Sequence, residues 1–243
     1  MPEEQSVSEP ILTNLVSRLQ AAFGENLASV VLYGSAAVGD WNENSSDLNI
    51  LCALQRLTPH ELAQSEPVFR WWREQGNPAP LLMSAEEVRT STDCFPMEFH
   101  DMKEHRRILD GDDIIRDLEI DRSFYRAQVE HELRGMQIRL RQKSAELFSR
   151  PPQLLNLLAD SVSTFCVLGR HALLLSGHEA RWKKRDIVAA LEDAMRRSFD
   201  GASTILNIRA GEKLPPDANV SAIFEKYLNE MGQLVHFVDA LDR

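Results

Sequence analysis

Cysteine is scarce in this sequence, and the positions of the few cysteines exclude the usual cysteine-based frameworks. Only three occur in 243 residues, Cys52, Cys94 and Cys166, and no two of them form a CxxC pair. Cysteines spaced this widely are typical of reduced, buried thiols. We therefore predict neither a disulfide framework nor a zinc site.

The sequence also lacks a long uninterrupted hydrophobic run. Its most apolar stretch, FCVLGRHALLLSG, is short and contains Arg170 and His171, whereas a membrane-spanning helix needs about 20 predominantly apolar residues. We therefore expect no membrane partner. The N-terminal stretch MPEEQSVSEP is acidic and polar and shows no signal-peptide pattern. Together with the reduced cysteines, these features predict a cytoplasmic protein.

Positive charge is outnumbered in the composition, with 27 Lys and Arg against 37 Asp and Glu and a formal net charge of −10. A protein this acidic has no general attraction for nucleic acid or for anionic membranes, so a nucleic-acid partner is not predicted. The hydrophobic fraction of 43% is that of an ordinary globular protein. No serine lies in a Gly-x-Ser-x-Gly elbow, so the usual sign of a serine hydrolase is missing.

The predicted secondary structure differs between the two halves of the chain. In residues 1–115, strand and helix patterns alternate. They comprise helices over 10–23 and 59–75, strands near 27–34, 47–54, 79–84 and 106–113, and an extended run over 94–102. Residues 120–243 carry helical patterns over 126–148, 152–177, 184–207 and 219–241. We therefore predict a domain of strands and helices over 1–115 and an all-helical bundle of four or five helices over 120–243.

Candidate phosphate and metal groups lie where the first two predicted strands meet. Gly34 and Ser35 close the first strand; backbone N–H groups in such a turn can bind phosphate oxygens, and glycine permits their close approach. Asp47 and Asn49 are two residues apart on the second strand, so both side chains leave the same face. The alternatives are an ordinary strand-ending turn at Gly34 and a polar strand start at Asp47.

Glu98, inside the apolar run 94–102, is the third candidate. If that run is a strand beside the second predicted strand, the Glu98 carboxylate can point to the same place as the side chains of Asp47 and Asn49. Three acids arranged in this way hold two Mg²⁺ ions about 3.5–4 Å apart, and oxygen ligands suit Mg²⁺. The alternative is an ion pair between Glu98 and either Lys103 or Arg107.

These features resemble the signature of the nucleotidyltransferase superfamily, which includes DNA polymerase beta, the aminoglycoside nucleotidyltransferases and the minimal nucleotidyltransferases. Their signature is an apolar residue and Gly-Ser, then Asp-apolar-Asp/Glu-apolar, then a third acid on a later strand. Here it reads Tyr33-Gly34-Ser35, then Asp47-Leu48-Asn49-Ile50, then Met97-Glu98-Phe99. Ser46 before Asp47 matches the antibiotic-modifying branch.

The resemblance covers about residues 27–110 and implies an α+β nucleotidyltransferase domain with a mixed sheet, followed by helices that help to hold the acceptor. It implies transfer of AMP from ATP to a hydroxyl of a small molecule or protein, with Mg²⁺ or Mn²⁺. The implied nucleotide-binding residues are Gly34, Ser35 and Ser46, and the implied metal-binding and catalytic residues are Asp47, Asn49 and Glu98. The acceptor is not identified, and a homodimer stays open.

Asn49 departs from the signature, which has Asp or Glu at this position. A neutral amide oxygen is a poorer ligand than a carboxylate, so we predict a weakened catalytic metal and a loss of several kcal/mol of transition-state stabilisation. Asp40 or Glu43 could compensate, whereas Asp101 would face away from Glu98 on a strand. The alternatives are a non-catalytic nucleotide-binding or interaction module on the same fold, and a dimerising scaffold.

Overall fold

The computed structural model describes residues 9–37, 48–215 and 218–241. The chain separates into two units, Met1–Ser123 and Phe124–Arg243. The described residues of the first unit form a sheet and helices, and those of the second form helices. The predicted fold class, an α+β region with a mixed sheet followed by a helical region, is therefore confirmed.

A four-stranded sheet organises the first unit. Its strands are β1 (Leu27–Tyr33), β2 (Asn49–Leu54), β3 (Leu81–Ser84) and β4 (Arg106–Gly111), in the spatial order β3-β2-β1-β4. Strand β1 is antiparallel to β2 and to β4, whereas β2 and β3 are parallel. At one end of β1, Tyr33 pairs with Asn49 on one side and with Arg106 on the other.

Helices cover both faces of this sheet because side chains alternate along each strand. The helices are α1 (Glu9–Phe23), α2 (Pro59–Glu74), α3 (Ala85–Thr90) and α4 (Pro96–Glu104). On one face, Val30 and Ile50 pack in a core with residues of α1 and α2. On the other, Val31 and Leu51 pack with Val88 of α3 and Phe99 of α4. The predicted helix over 59–75 is confirmed as α2, which continues through Pro67.

The prediction of an extended run over 94–102 is wrong, since this segment contains α4. Pro96 occupies the first turn, where its fixed φ suits a helix and its missing N–H costs nothing. The buried residues Met97 and His100, like Phe99 and Met102, are three apart and so lie on one side of a helix. A short apolar run fits a strand or a helix equally well, and packing against the sheet selected the helix.

Helices make up the described part of the second unit. They are α5 (Tyr125–Ser144), α6 (Pro151–Leu175), α7 (Lys184–Met195), α8 (Asp200–Arg209) and α9 (Val220–Asp239). The predicted single helix over 184–207 is wrong, because α7 ends at a left-handed residue, Arg196, with φ 51°. Helix α8 begins only after Phe199.

Helix α6 is the buried core helix of the second unit. Its length and composition would also suit a bilayer, but 56% of its most apolar window is buried inside the protein. The two basic residues of the apolar stretch, Arg170 and His171, are buried. The His171 Nδ1 is 2.6 Å from the hydroxyl of Tyr125 on α5, so this polar group has a partner within the unit.

Candidate functional site

A tight 3-10 turn over Gly34–Ala36 follows β1. Tyr33 is still extended, with φ −140° and ψ 178°, and Gly34 then takes φ +78°. The turn is closed by the Ala37 N–H, which donates to Gly34 O at 3.0 Å. Only glycine adopts a positive φ without steric cost. The chain therefore reverses sharply here, and the first N–H groups of such a turn stay outside its own hydrogen bond.

Asn49 lies directly against this turn. It pairs with Tyr33 across the two antiparallel strands, and it is half-buried. A Cβ added to Gly34 would lie 2.8 Å from Asn49 Nδ2 and 3.7 Å from its Cγ. Glycine is therefore required at position 34 for its φ, and a Cβ there would displace the end of the Asn49 side chain. Two of the sequence-predicted positions, Gly34 and Asn49, are in this way brought together.

Core packing and a side-chain hydrogen bond both fix the start of β2. The side chain of Leu48 is buried in the core with residues of α1 and α2. Its N–H donates to Asn77 Oδ1 at 3.2 Å. The other candidate residues of this region, Ser46 and Asp47 together with Asp40 and Glu43, lie outside the residues that the structure describes.

Glu98 lies in the first turn of α4, and its side chain is exposed. Burial raises the pKa of Tyr33, and the negative charge of Glu98 raises that pKa further. Glu98 is therefore within electrostatic range of the tyrosine that pairs with Asn49. Tyr33 packs on the sheet face that α4 covers, so the helix that carries Glu98 lies over the face from which the Asn49 side chain leaves. The sequence placed Glu98 on a strand, and the structure presents it from a helix.

Arg106 connects the end of α4 to β4. Its guanidinium makes two hydrogen bonds to the Asp113 carboxylate, of 2.8 and 2.7 Å, and it also donates to Lys103 O at 2.6 Å. This guanidinium lowers the pKa of Asp113. Because Arg106 pairs with Tyr33 in the sheet, it fixes α4 beside the strand end that carries the turn.

The two cations considered as alternative partners of Glu98 have other contacts. Arg107 forms an ion pair with Glu9 at 2.5 Å and lowers the pKa of that carboxyl. Lys103 Nζ donates to Leu118 O at 2.5 Å. Both basic side chains therefore have partners other than Glu98.

Asp101 does not face away from Glu98 as it would on a strand, because residues three apart on a helix share a side. Asp101 is three residues after Glu98 on α4, and its carboxylate is 3.6 Å from His100 Nδ1. The sequence pattern indicated neither Asn77 nor Arg106 as a residue around the site, and it included Tyr33 only as part of the signature. Asn77 contacts Leu48 from 29 residues away, and Tyr33 pairs with Arg106 across the sheet, so no local pattern predicts these contacts.

The candidate side chains in the described residues offer oxygen atoms. They are the Asn49 amide at the start of β2, the Ser35 hydroxyl in the turn and the Glu98 carboxylate on α4. Neutral and anionic oxygen donors are the ligands that Mg²⁺ prefers, and thiol and imidazole ligands would suit other metals. The donor set therefore fits Mg²⁺ or Mn²⁺.

Comparison with known proteins identifies the fold. No family model matches the chain, and no curated protein matches its sequence. A crystal structure of spectinomycin adenyltransferase AAD(9) from Enterococcus faecialis with ATP and spectinomycin is similar in structure, with a TM-score of 0.60 and 13% sequence identity. The match covers 92% of this chain and 99% of that one. The chain therefore has the nucleotidyltransferase fold followed by a helical region, as the motifs predicted, whereas identity this low carries no conclusion about activity.

Proposed function

We propose that this protein transfers AMP from ATP to a hydroxyl group of a small molecule or a protein. One observation carries the proposal: the Asn49 amide packs on the Gly34 turn, on the sheet face that α4 covers. A phosphate-binding turn beside a set of oxygen ligands is what metal-dependent phosphoryl chemistry requires.

Each residue of the site has a role in this proposal. The backbone N–H groups of the turn and the hydroxyls of Ser35 and Ser46 bind the phosphates of the nucleotide. Asp47, Asn49 and Glu98 hold Mg²⁺ or Mn²⁺ through oxygen atoms. The metal ions, when bound, stabilise the attacking and leaving oxygens of the displacement. Tyr33 and Arg106 keep the turn, β2 and α4 in register.

The structural relative supports a small-molecule acceptor. AAD(9) was crystallised with ATP and with spectinomycin, and the similarity extends over nearly the whole length of both chains. We therefore assign nucleotide binding to residues 1–115 and acceptor binding to residues 120–243. A hydroxylated small molecule of the spectinomycin type is the first acceptor to test. A cytoplasmic location belongs to the same proposal, because ATP and reduced thiols are both found there.

A direct assay tests this proposal. The chain is incubated with ATP labelled at the α-phosphate, with Mg²⁺ or Mn²⁺, and with spectinomycin or other hydroxylated acceptors. We expect release of pyrophosphate and transfer of the label to one acceptor, and both should disappear when the metal is chelated. Absence of pyrophosphate release with every acceptor and with both metals would contradict the enzymatic function.

Asn49 favours a second candidate function, a nucleotide-binding or interaction module without catalysis. A neutral residue in place of a carboxylate leaves the site with less charge to balance two divalent cations. The two functions differ in one measurement. The module predicts ATP binding that does not change when Mg²⁺ is removed, and no turnover, whereas the enzyme predicts metal-dependent binding together with pyrophosphate release.

A further inference from the structure

Asn77, in the turn between α2 and β3, contacts the backbone at the start of β2. Its side-chain Oδ1 accepts the Leu48 N–H at 3.2 Å. The pairs of β2 with β1 begin at Asn49, and its pairs with β3 begin at Leu51. The Leu48 N–H therefore lies just outside the ladder, and the Asn77 side chain supplies a hydrogen bond where main-chain pairing ends.

The turn itself places Asn77 for this contact. Gly76 has φ +88°, and its N–H donates to Arg73 O at 2.9 Å where α2 ends. Pro78 follows Asn77, and a residue before proline is confined mainly to extended backbone. The chain then enters β3, which runs parallel to β2. A glycine turn and a proline thus determine where the Asn77 amide lies.

The contact is made by the residue that joins two proposed metal ligands. Leu48 stands between Asp47 and Asn49 in the sequence. Its side chain is 4% exposed in the core with residues of α1 and α2, so the Asn49 side chain leaves the opposite face of the strand. With the Leu48 side chain in the core and its N–H on Asn77, the strand start cannot rotate freely.

We propose that Asn77 is a positioning residue for Asn49, the proposed metal ligand at the start of β2. Its amide oxygen accepts the Leu48 N–H and so fixes the backbone from which the Asn49 side chain reaches a divalent cation. Asn77 acts through the backbone of Leu48, without contact to the cation or the nucleotide. This inference rests on the proposed nucleotidyltransferase function.

The opposite end of the same strand offers a matched control. Asn26 Nδ2 donates to Arg56 O at 2.9 Å, and its Oδ1 accepts the Arg56 N–H at 2.9 Å. Asn26 therefore also holds the backbone next to β2 with its side chain, but beyond Leu54, at the end away from Asn49. Replacing either asparagine should lower the stability of the protein. Only replacing Asn77 should also lower its affinity for the metal.

The experiment measures Mn²⁺ binding to the full chain by electron paramagnetic resonance, in the presence of an ATP analogue that cannot be cleaved between its α- and β-phosphates. The variants are Asn77→Ala, Asn77→Ser, Asn77→Asp and Asn26→Ala. Serine is too short to reach Leu48, whereas aspartate keeps the acceptor oxygen. We expect Asn77→Ala and Asn77→Ser to weaken Mn²⁺ binding about fivefold, the effect of one lost hydrogen bond. Asn77→Asp and Asn26→Ala should bind Mn²⁺ like the wild type.

Amide hydrogen exchange without any metal gives a second readout. The Leu48 N–H should exchange faster in Asn77→Ser than in the wild type and should be protected again in Asn77→Asp. Unchanged Mn²⁺ affinity in both shortened variants, or an equal loss in Asn26→Ala, would overturn the positioning role while the proposed function stands. A wild-type chain that binds no Mn²⁺ with the analogue would overturn the proposed function and this inference together.

Discussion

At the scale of single residues, the proposed chemistry depends most on position 49. The Asn49 side chain has nearly the shape of an aspartate side chain and packs on Gly34, but it carries no charge. An amide oxygen can bind Mg²⁺, yet the attraction between opposite charges is missing. In the proposed site, position 49 therefore offers an oxygen atom without the charge that an acid would add.

Replacing Asn49 with Asp restores the missing charge in nearly the same volume. We expect Asn49→Asp to bind Mg²⁺ on the order of tenfold more tightly, since a charged oxygen replaces a neutral one at a half-buried site. Isothermal titration with Mg²⁺ in the presence of ATP measures the change. Asn49→Ala is the control, because it removes the oxygen and should weaken binding. Equal affinities for the wild type and Asn49→Asp would show that position 49 does not bind the metal.

Gly34 provides the second prediction at this scale. Gly34→Ala would require a positive φ for alanine and would place a Cβ 2.8 Å from Asn49 Nδ2. We expect it to destabilise the protein by about 1–2 kcal/mol through backbone strain, and to reduce ATP binding because it displaces the Asn49 amide. Gly24→Ala is a matched control, because Gly24 also has a positive φ, of 52°, but a Cβ there meets nothing within 4 Å.

Urea unfolding compares the stability of the two glycine variants, and ATP titration separates them. Gly24→Ala should cost about 1–2 kcal/mol, the backbone contribution alone, and should leave ATP affinity unchanged. If both variants lost the same ATP affinity, the close packing of Asn49 on the turn would have no role in ATP binding.

At the scale of secondary-structure elements, α4 shows where a local pattern was insufficient. The strand pattern and the helix pattern share the same apolar residues over 94–102, and the choice depends on what they pack against. Val31 and Leu51 of the sheet offer an apolar face to Phe99 and Met102. A helix lets both reach that face while Glu98 stays exposed. The longer periodic patterns of α1, α5 and α9 were predicted correctly, because several turns with one apolar side fit only a helix.

The beginning of α8 depends on a residue from another helix. Glu230 of α9 is buried, and its carboxylate accepts the N–H groups of Gly201 and Ala202 at 2.7 and 2.9 Å. These are N–H groups of the first turn of α8, which lack partners within the helix. Burial raises the pKa of Glu230 to about 7, the two N–H groups oppose this rise, and the charges of Asp200 and Glu192 add to it.

This raised pKa predicts a pH-dependent stability. Between pH 4.5 and about 7 the unfolded chain releases the Glu230 proton while the folded protein keeps it. The resulting stabilisation is complete below pH 4.5 and is lost as the pH rises through about 7. We expect the free energy of unfolding to fall by about 2 kcal/mol from pH 5 to pH 8 through this group. Glu230→Gln should remove that part of the pH dependence.

Urea unfolding of both proteins at pH 5 and pH 8 measures the difference. Glu225→Gln is the control, since Glu225 lies on the same helix and is exposed, and it should leave the pH dependence of the wild type unchanged. If Glu230→Gln showed the same pH dependence as the wild type, Glu230 would not be protonated in the folded protein near neutral pH.

At the scale of the whole molecule, the chain consists of two units with separate interiors. In the first unit, both faces of the sheet are covered by its own helices. In the second, Leu158, Val162 and Phe165 of α6 are fully buried, and α5, α7, α8 and α9 contribute buried residues as well. Each unit is also large enough to fold around its own core.

We therefore predict that residues 124–243 fold when expressed alone. The fragment should show a helical circular dichroism spectrum and a single cooperative thermal transition. Leu158→Ala, which empties space in the core of this unit, should destabilise the fragment and the full chain by a similar amount, about 2–5 kcal/mol. A fragment that melts without cooperativity, or that is indifferent to Leu158→Ala, would show that the second unit has no independent core.

The sequence by itself determined the fold class and the positions of the turn and of the long helices. Gly34 and the long apolar stripes carry this information locally, since a positive φ and a helical repeat each depend on neighbours only a few residues away. The surroundings of the proposed site were decided only by tertiary structure. Asn49 meets Gly34 through strand pairing, Glu98 arrives on a helix, and Asn77 reaches Leu48 from 29 residues away. Such contacts depend on how the elements pack, and packing brings together residues whose spacing in the sequence follows no rule.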